Sequence, residues 1–190
     1  MALKALSDVQ RHERFESLYA DHHDAIYAYV HRRASGAAEV PDILAEIFAV
    51  VWRRLDEVPR GSETRLWLYG LARHTLLNTR RGQRRRLRLF ARLRGEASVS
   101  PQSAASPEPH DAWLEAAIER LPEPYREALM LVSWEGLSHA EAAGVLGCSA
   151  NAVALRLHKA KARLREDPLV TQHLFADRAA AARALDGSAS

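Results

Sequence analysis

Apolar residues recur along this chain at helical spacing, in stripes separated by short polar or proline- and glycine-bearing breaks. Phe15, Leu18, Tyr19, Ile26, Tyr29 and Val30 form the first stripe and predict a helix, with Gly36 and Pro41 expected to end it. From Asp42 a second and stronger pattern follows. Ile43, Leu44, Ile47, Phe48, Val51, Trp52 and Leu55 share one face, opposite Asp42, Glu46, Arg53 and Arg54. The Pro59-Arg-Gly-Ser62 segment reads as a turn with Ser62 as the next N-cap, and Leu66 to Leu77 predicts a third helix that runs into an arginine-rich extension. Residues 95–110 are rich in Ser, Ala and Pro and almost without large apolar side chains, which is the composition of a flexible linker. Helical patterning resumes at Asp111 with Trp113, Leu114, Ala117, Ile118 and Leu121. It breaks around Pro122 and Pro124, then continues from Tyr125 to Trp134.

The segment from Ser138 to Arg165 is the most specific local signal. Ser138 and Glu141 have capping-box spacing, Ala142 and Ala143 keep the inner face of the helix small, and Gly147 follows Leu146 where the chain must turn. Ser149 offers a second N-cap. Beyond it Val153, Leu157, Ala160 and Leu164 mark a packing face, while Arg156, Lys159, Lys161, Arg163 and Arg165 fill the others. Two capped helices, a glycine turn and a cationic second helix together predict a helix-turn-helix that meets DNA.

Composition narrows the class. The missing Val/Ile/Thr alternation leaves an all-α chain, and 190 residues with 47% hydrophobic content suffice for two small helical domains. The expected division is 1–94, a linker over 95–110, a second domain over 111–166 and a tail over 167–190, in which 179–184 is a candidate helix. Net charge is only +3, yet charge is sorted. Arg73, Arg80, Arg81, Arg84, Arg85, Arg86, Arg88, Arg92 and Arg94 crowd the end of the first domain, a density expected of a nucleic-acid surface or a disordered tail. In the second domain Asp111, Glu115, Glu119, Glu123, Glu127, Glu135 and Glu141 precede the cations, so one end alone suits DNA. The acidic residues are read as solvated helix faces. The single cysteine, Cys148, excludes an intrachain disulfide and thiolate-rich zinc sites and reads as a small apolar turn residue. The nine histidines, including His22-His23, read as surface residues. No clustered acid, base or nucleophile predicts an enzyme, a metal site or a cofactor, and the lack of a signal core or spanning stretch predicts a cytoplasmic protein without membrane insertion.

The ordered set of motifs resembles the extracytoplasmic-function (ECF) sigma factors of the sigma-70 family. Phe15 to Arg33 is similar to the family's first conserved helix. Asp42-Ile-Leu-Ala-Glu46-Ile-Phe48 with Trp52-Arg-Arg-Leu55 is similar to its core-polymerase-binding helix, and Trp67-Leu-Tyr-Gly-Leu-Ala72-Arg73 to the start of its −10 reading segment. Leu121-Pro-Glu-Pro-Tyr125-Arg126-Glu127-Ala-Leu129 and Gly136 through Ala160 resemble its −35 reading domain.

The resemblance implies a sigma factor that carries no catalytic residues, binds core RNA polymerase, recognises promoter DNA and helps to open it. Docking on polymerase would run through Asp42, Glu46, Phe48 and Arg53, with packing competing for Phe48 and Trp52. The turn from Pro59 to Thr64 lies where the family captures a flipped base. Arg65, Arg73, His74, Asn78, Arg80, Arg81, Arg84 and Arg85 follow on the helix expected to face the −10 element, and Trp67 reads as a buried anchor. At the −35 element the candidates are Ser149, Asn151, Ala154, Leu155, Arg156, His158, Lys159 and Arg163. Asn151 and Arg156 have the clearest base-reading donors, whereas His158, Lys159 and Arg163 suit phosphate. The chain departs from the family pattern at Ala45, His74 and Ala154-Leu155. That implies an unusual promoter, or base reading that leans more on DNA shape. An anti-sigma partner is an expectation of the resemblance alone. The alternative is a helix-turn-helix regulator acting without polymerase.

Overall fold

The first helix is longer than its apolar stripe predicts. In the computed structural model, which describes residues 7–94 and 112–173, α1 spans Asp8–His31. The added turns come from a capping box outside the stripe: the Gln10 N–H donates to Ser7 Oγ at 3.3 Å and the Ser7 N–H donates to Gln10 Oε1 at 3.0 Å. The chain leaves α1 at Arg32 and makes a short 3₁₀ turn over Ala37–Glu39. Helix α2, Val40–Arg53, then begins earlier than Asp42. Pro41 therefore opens α2 rather than ending α1, since proline lacks only an N–H that the first helical turn leaves unused. A second 3₁₀ turn, Leu55–Glu57, leads to the Gly61 turn and to α3, which runs unbroken over Ser62–Arg94.

Three helices close the first core. Ile26, Tyr29 and Val30 of α1 meet Ile43, Ile47 and Val51 of α2 and Leu68, Tyr69, Ala72 and Leu76 of α3, all buried. The Tyr29 and Tyr69 rings lie 5.1 Å apart. Arg33 is also buried, against expectation for a cation beside a helix end: its guanidinium lies 3.7 Å over the Tyr29 ring and donates to the Tyr29 carbonyl at 3.2 Å. Burial in α3 ends at Leu76, and every residue from Arg84 to Phe90 is exposed, so the arginine-rich half of this helix extends beyond the core.

The second unit holds α4, Ala112–Glu119; α5, Glu123–Ser133; α6, His139–Leu146; and α7, Ala150–Glu166. The chain divides between residues 105 and 106, outside the described residues, where the expected linker and the candidate helix at 179–184 also fall. Ile118, Leu121, Leu129, Leu157 and Ala160 form a buried cluster, with Leu114, Tyr125, Val132 and Leu164 packed around it. Two acidic residues expected on solvated faces are inside: Glu127 is 6% and Glu135 4% exposed. Glu127 sits on the inward side of α5 next to Ala128, where helix phase overrides the preference of a carboxylate for water, and Glu135 lies in the tight α5–α6 connection.

The start of the tail belongs to this unit. Residues 168–173 are helical, Val170 is buried, and His173 stacks on Trp113 at 4.6 Å. Arg120 binds Asp167 through Nη2 at 2.7 Å and Nε at 3.1 Å, which holds the Asp167 carboxyl below its usual range. Asp167 also accepts from the Leu169 N–H at 2.9 Å and so caps the turn that Pro168 begins.

Candidate nucleic-acid interface

The helix-turn-helix has the geometry its sequence predicts. Ser138 Oγ accepts from the Glu141 N–H at 3.3 Å, and Glu141 Oε2 accepts from the Ser138 N–H at 2.8 Å, so both ends of the capping box close. Gly147 adopts φ 64°, ψ 42°, the left-handed conformation that ends α6, and the Cys148 N–H reaches back to the Ala143 carbonyl at 3.1 Å. Ser149 Oγ accepts from the Ala152 N–H at 3.2 Å and starts α7. Val153, Leu157 and Ala160 are buried against α5 and α6, which turns the opposite side of α7 outward.

That outward side carries most of the predicted readers. Ser149, Asn151, Leu155, His158, Lys159 and Arg163 are exposed, and Ala154 is half-buried. Arg156 is different. It is half-buried, and its Nη1 lies 3.5 Å from Cys148 Sγ, so its guanidinium is turned back along α7 toward the turn. Cys148 thus fills the turn as expected and also meets this arginine. Arg163 lies 5.3 Å over the Tyr125 ring, which orients it beside α5.

On α3 the predicted residues divide between fold and surface. Arg80 is half-buried and donates to the Arg33 carbonyl at 2.6 Å, tying α3 to the end of α1. The neighbouring Gln83 donates to Glu39 at 2.6 Å. Arg73 is half-buried. Arg65 is exposed, with Nε 3.2 Å from the Tyr69 hydroxyl, and His74 and Asn78 pair at 3.2 Å on the surface. Arg81, Arg84 and Arg85 are exposed along the extended half, where a regular helix, not a disordered tail, presents them. Trp67 is half-buried under Arg54, whose guanidinium lies 5.7 Å from its ring.

At the start of α3 the Thr64 hydroxyl donates to the Pro59 carbonyl at 2.8 Å and Gly61 takes φ 69°, so the 59–64 turn is locked. It forms one wall of an open groove of about 790 Å³, whose other wall is α1 through Glu13, Arg14, Ser17 and His22. The Arg14 guanidinium donates to the Val58 carbonyl at 2.6 Å and Arg11 pairs with Asp56 at 2.7 Å, which fasten α1 to the segment that leads into this turn.

On α2, Asp42, Glu46 and Arg53 are exposed, whereas Phe48 is 6% exposed. The Phe48 ring lies 4.7 Å from Tyr19, 6.1 Å from His23 and 6.4 Å from Phe15. These rings belong to a feature that sequence reasoning missed: Phe15, Tyr19, His23, Tyr27 and His31 form a continuous ladder along α1, with neighbouring centroids 4.8 to 6.2 Å apart. Their spacing of four residues is the signal in the sequence that could have found them. Among the described residues no group of three or more His, Cys, Asp or Glu is placed to hold a metal ion, and no helix is long and apolar enough to cross a membrane.

Comparison with known proteins adds identity to this geometry. Residues 18–86 match the model of sigma-70 region 2 and residues 111–164 that of sigma-70 region 4. The RNA polymerase sigma factor NccH of Alcaligenes xylosoxydans xylosoxydans is 33% identical over 133 residues, 67% of this chain and 72% of that protein. The ECF RNA polymerase sigma factor SigE of Mycolicibacterium smegmatis is 29% identical over 158 residues, 80% of this chain and 60% of SigE. Among solved structures, the sigma factor RpoE in complex with the anti-sigma factor NepR from Bartonella quintana shares the fold. Its TM-score is 0.66 and its identity 22%, over 83% of this chain and 96% of that one. With the two regions matched in order on two helical units, and NccH aligned over most of its length, the chain belongs to the sigma-70 family of RNA polymerase sigma factors, in its extracytoplasmic-function branch.

Proposed function

We propose that this chain binds core RNA polymerase and directs it to a limited set of promoters, a regulatory rather than a catalytic role. One observation carries the reading: each of the two units presents its own exposed cationic helix surface, Arg81, Arg84 and Arg85 on α3 and Lys159 and Arg163 on α7. A helix-turn-helix regulator acting without polymerase has no use for the first of these. In this reading residues 1–94 engage polymerase and the −10 element, 95–110 connect, 111–166 read the −35 element, and 167–190 form the tail.

Asp42, Glu46 and Arg53 are the direct polymerase contacts, and Phe48 acts from beneath by supporting Tyr19 and His23. Arg65, Arg73, His74, Asn78, Arg81, Arg84 and Arg85 meet the −10 strands, and Arg80 serves mainly to hold α3 on α1. Phosphate contacts position the protein and base contacts specify the site, so α7 supplies the sequence reading. RpoE was solved in complex with an anti-sigma factor, and a partner of that class is proposed for this chain as well.

The test is transcription reconstituted from core polymerase and genomic fragments with and without this protein. Selective start sites that depend on it are expected. Absence of both core binding and selective starts would overturn the reading.

A further inference from the structure

Leu155 has no packing reason to be where it is. It is 54% exposed on a helix whose buried residues are Val153, Leu157 and Ala160. At roughly 100° per residue it lies about 200° around α7 from Val153, directly away from the core. Its neighbours on that face are small or polar: Asn151 and half-buried Ala152 one turn earlier, half-buried Ala154 beside it, and His158 and Lys159 one turn later. Two alanines let the helix approach a surface closely, and the flanking Lys159 suits that surface to an anionic one. The arginine that could have read guanine here, Arg156, is drawn back to Cys148.

We propose that Leu155 reads thymine, by seating its side chain against the C5-methyl group in the major groove of the upstream promoter element. Among the four bases only thymine offers a methyl on that edge, and apolar side chains recognise it by excluding water from both groups. Asn151, four residues earlier on the same face, is placed to pair with an adjacent adenine, so the face selects an A/T-bearing step through one polar and one apolar reader. The inference rests on the promoter-directing reading above and names how the second unit obtains its specificity.

The experiment uses the full chain with core polymerase. Duplex promoters with a randomised upstream element are selected by retention, and each thymine of the winning sequence is then replaced by deoxyuridine, which deletes only the methyl. One or two thymines are expected to lose about fourfold in affinity with the natural chain, the value of one buried methyl. Leu155→Ala should bind thymine and deoxyuridine duplexes alike; with the side chain already exposed, its fold is unaffected. The proposal is overturned if deoxyuridine costs nothing at any upstream position, or costs Leu155→Ala as much as the natural chain. If no upstream sequence is enriched although core binding persists, the second unit does not read bases and the proposal falls. If core binding is absent as well, the promoter-directing reading falls with it.

Discussion

Gly147 carries the helix-turn-helix at the scale of a single residue. Its φ of 64° is unfavourable for any side chain with a Cβ, and nothing lies within 4 Å of where that Cβ would be. The cost of substitution is therefore backbone strain alone. Gly147→Ala is expected to lower the stability of the second unit by about 1–2 kcal/mol, with little change in helix content of the folded state; thermal unfolding followed by circular dichroism measures it. An unchanged midpoint would mean that the turn relaxes. The glycine, both capping boxes and the Ser149 cap are local features, and each is written in residues three or four apart. Only the box at Ser138 stands out in the sequence, because Ser7 and Gln10 precede any apolar stripe that would draw attention to them. Burial of Arg33, Glu127 and Glu135 is not legible at this scale at all, since it depends on what packs over each charged residue.

Helix α3 illustrates what an element adds. Its first half is a core helix, its second half an exposed cationic rod, and the change comes after Leu76 without a break in the helix. A run of arginines in a disordered tail would condense on phosphate without register, whereas a helix repeats them at fixed spacing along a backbone. Replacing Arg84 and Arg85 by alanine is expected to weaken promoter binding at all sequences. It should also reduce the dependence of log affinity on log salt by roughly 0.7 to 0.9 for each phosphate that is no longer neutralised. The salt series at equilibrium is the measurement, and an unchanged slope would remove these residues from the DNA interface. Arg80 should behave differently, since its bond to the Arg33 carbonyl makes it part of the joint between α3 and α1. The run of arginines marks the surface in the sequence; helix phase decides which members of it are exposed and which hold the helix.

For the molecule as a whole, the polymerase-binding face proposed for α2 is the part most open to a decisive test. Asp42 and Glu46 are exposed on α2, one turn apart, so reversing both charges to lysine leaves the core of the first unit intact. Asp42→Lys with Glu46→Lys is expected to cut binding to core polymerase by roughly tenfold or more, the scale of losing close charge pairs at an interface, while circular dichroism and thermal midpoint stay within experimental error. Retained binding would move the interface elsewhere, to the ring ladder of α1 in the first instance. The sequence alone determined the all-α class, the helix-turn-helix and the family, because apolar period, caps and turn glycines are local chemistry that the chain carries in linear order. Tertiary structure alone decided which charged residues are buried, which arginines of α3 are exposed and which are tied to α1, how the rings of α1 stack over Phe48, and that Arg156 turns in toward Cys148. Those outcomes depend on the rotation of each helix about its axis against its neighbours. That rotation is set by the packing of residues far apart in sequence, which no local pattern records.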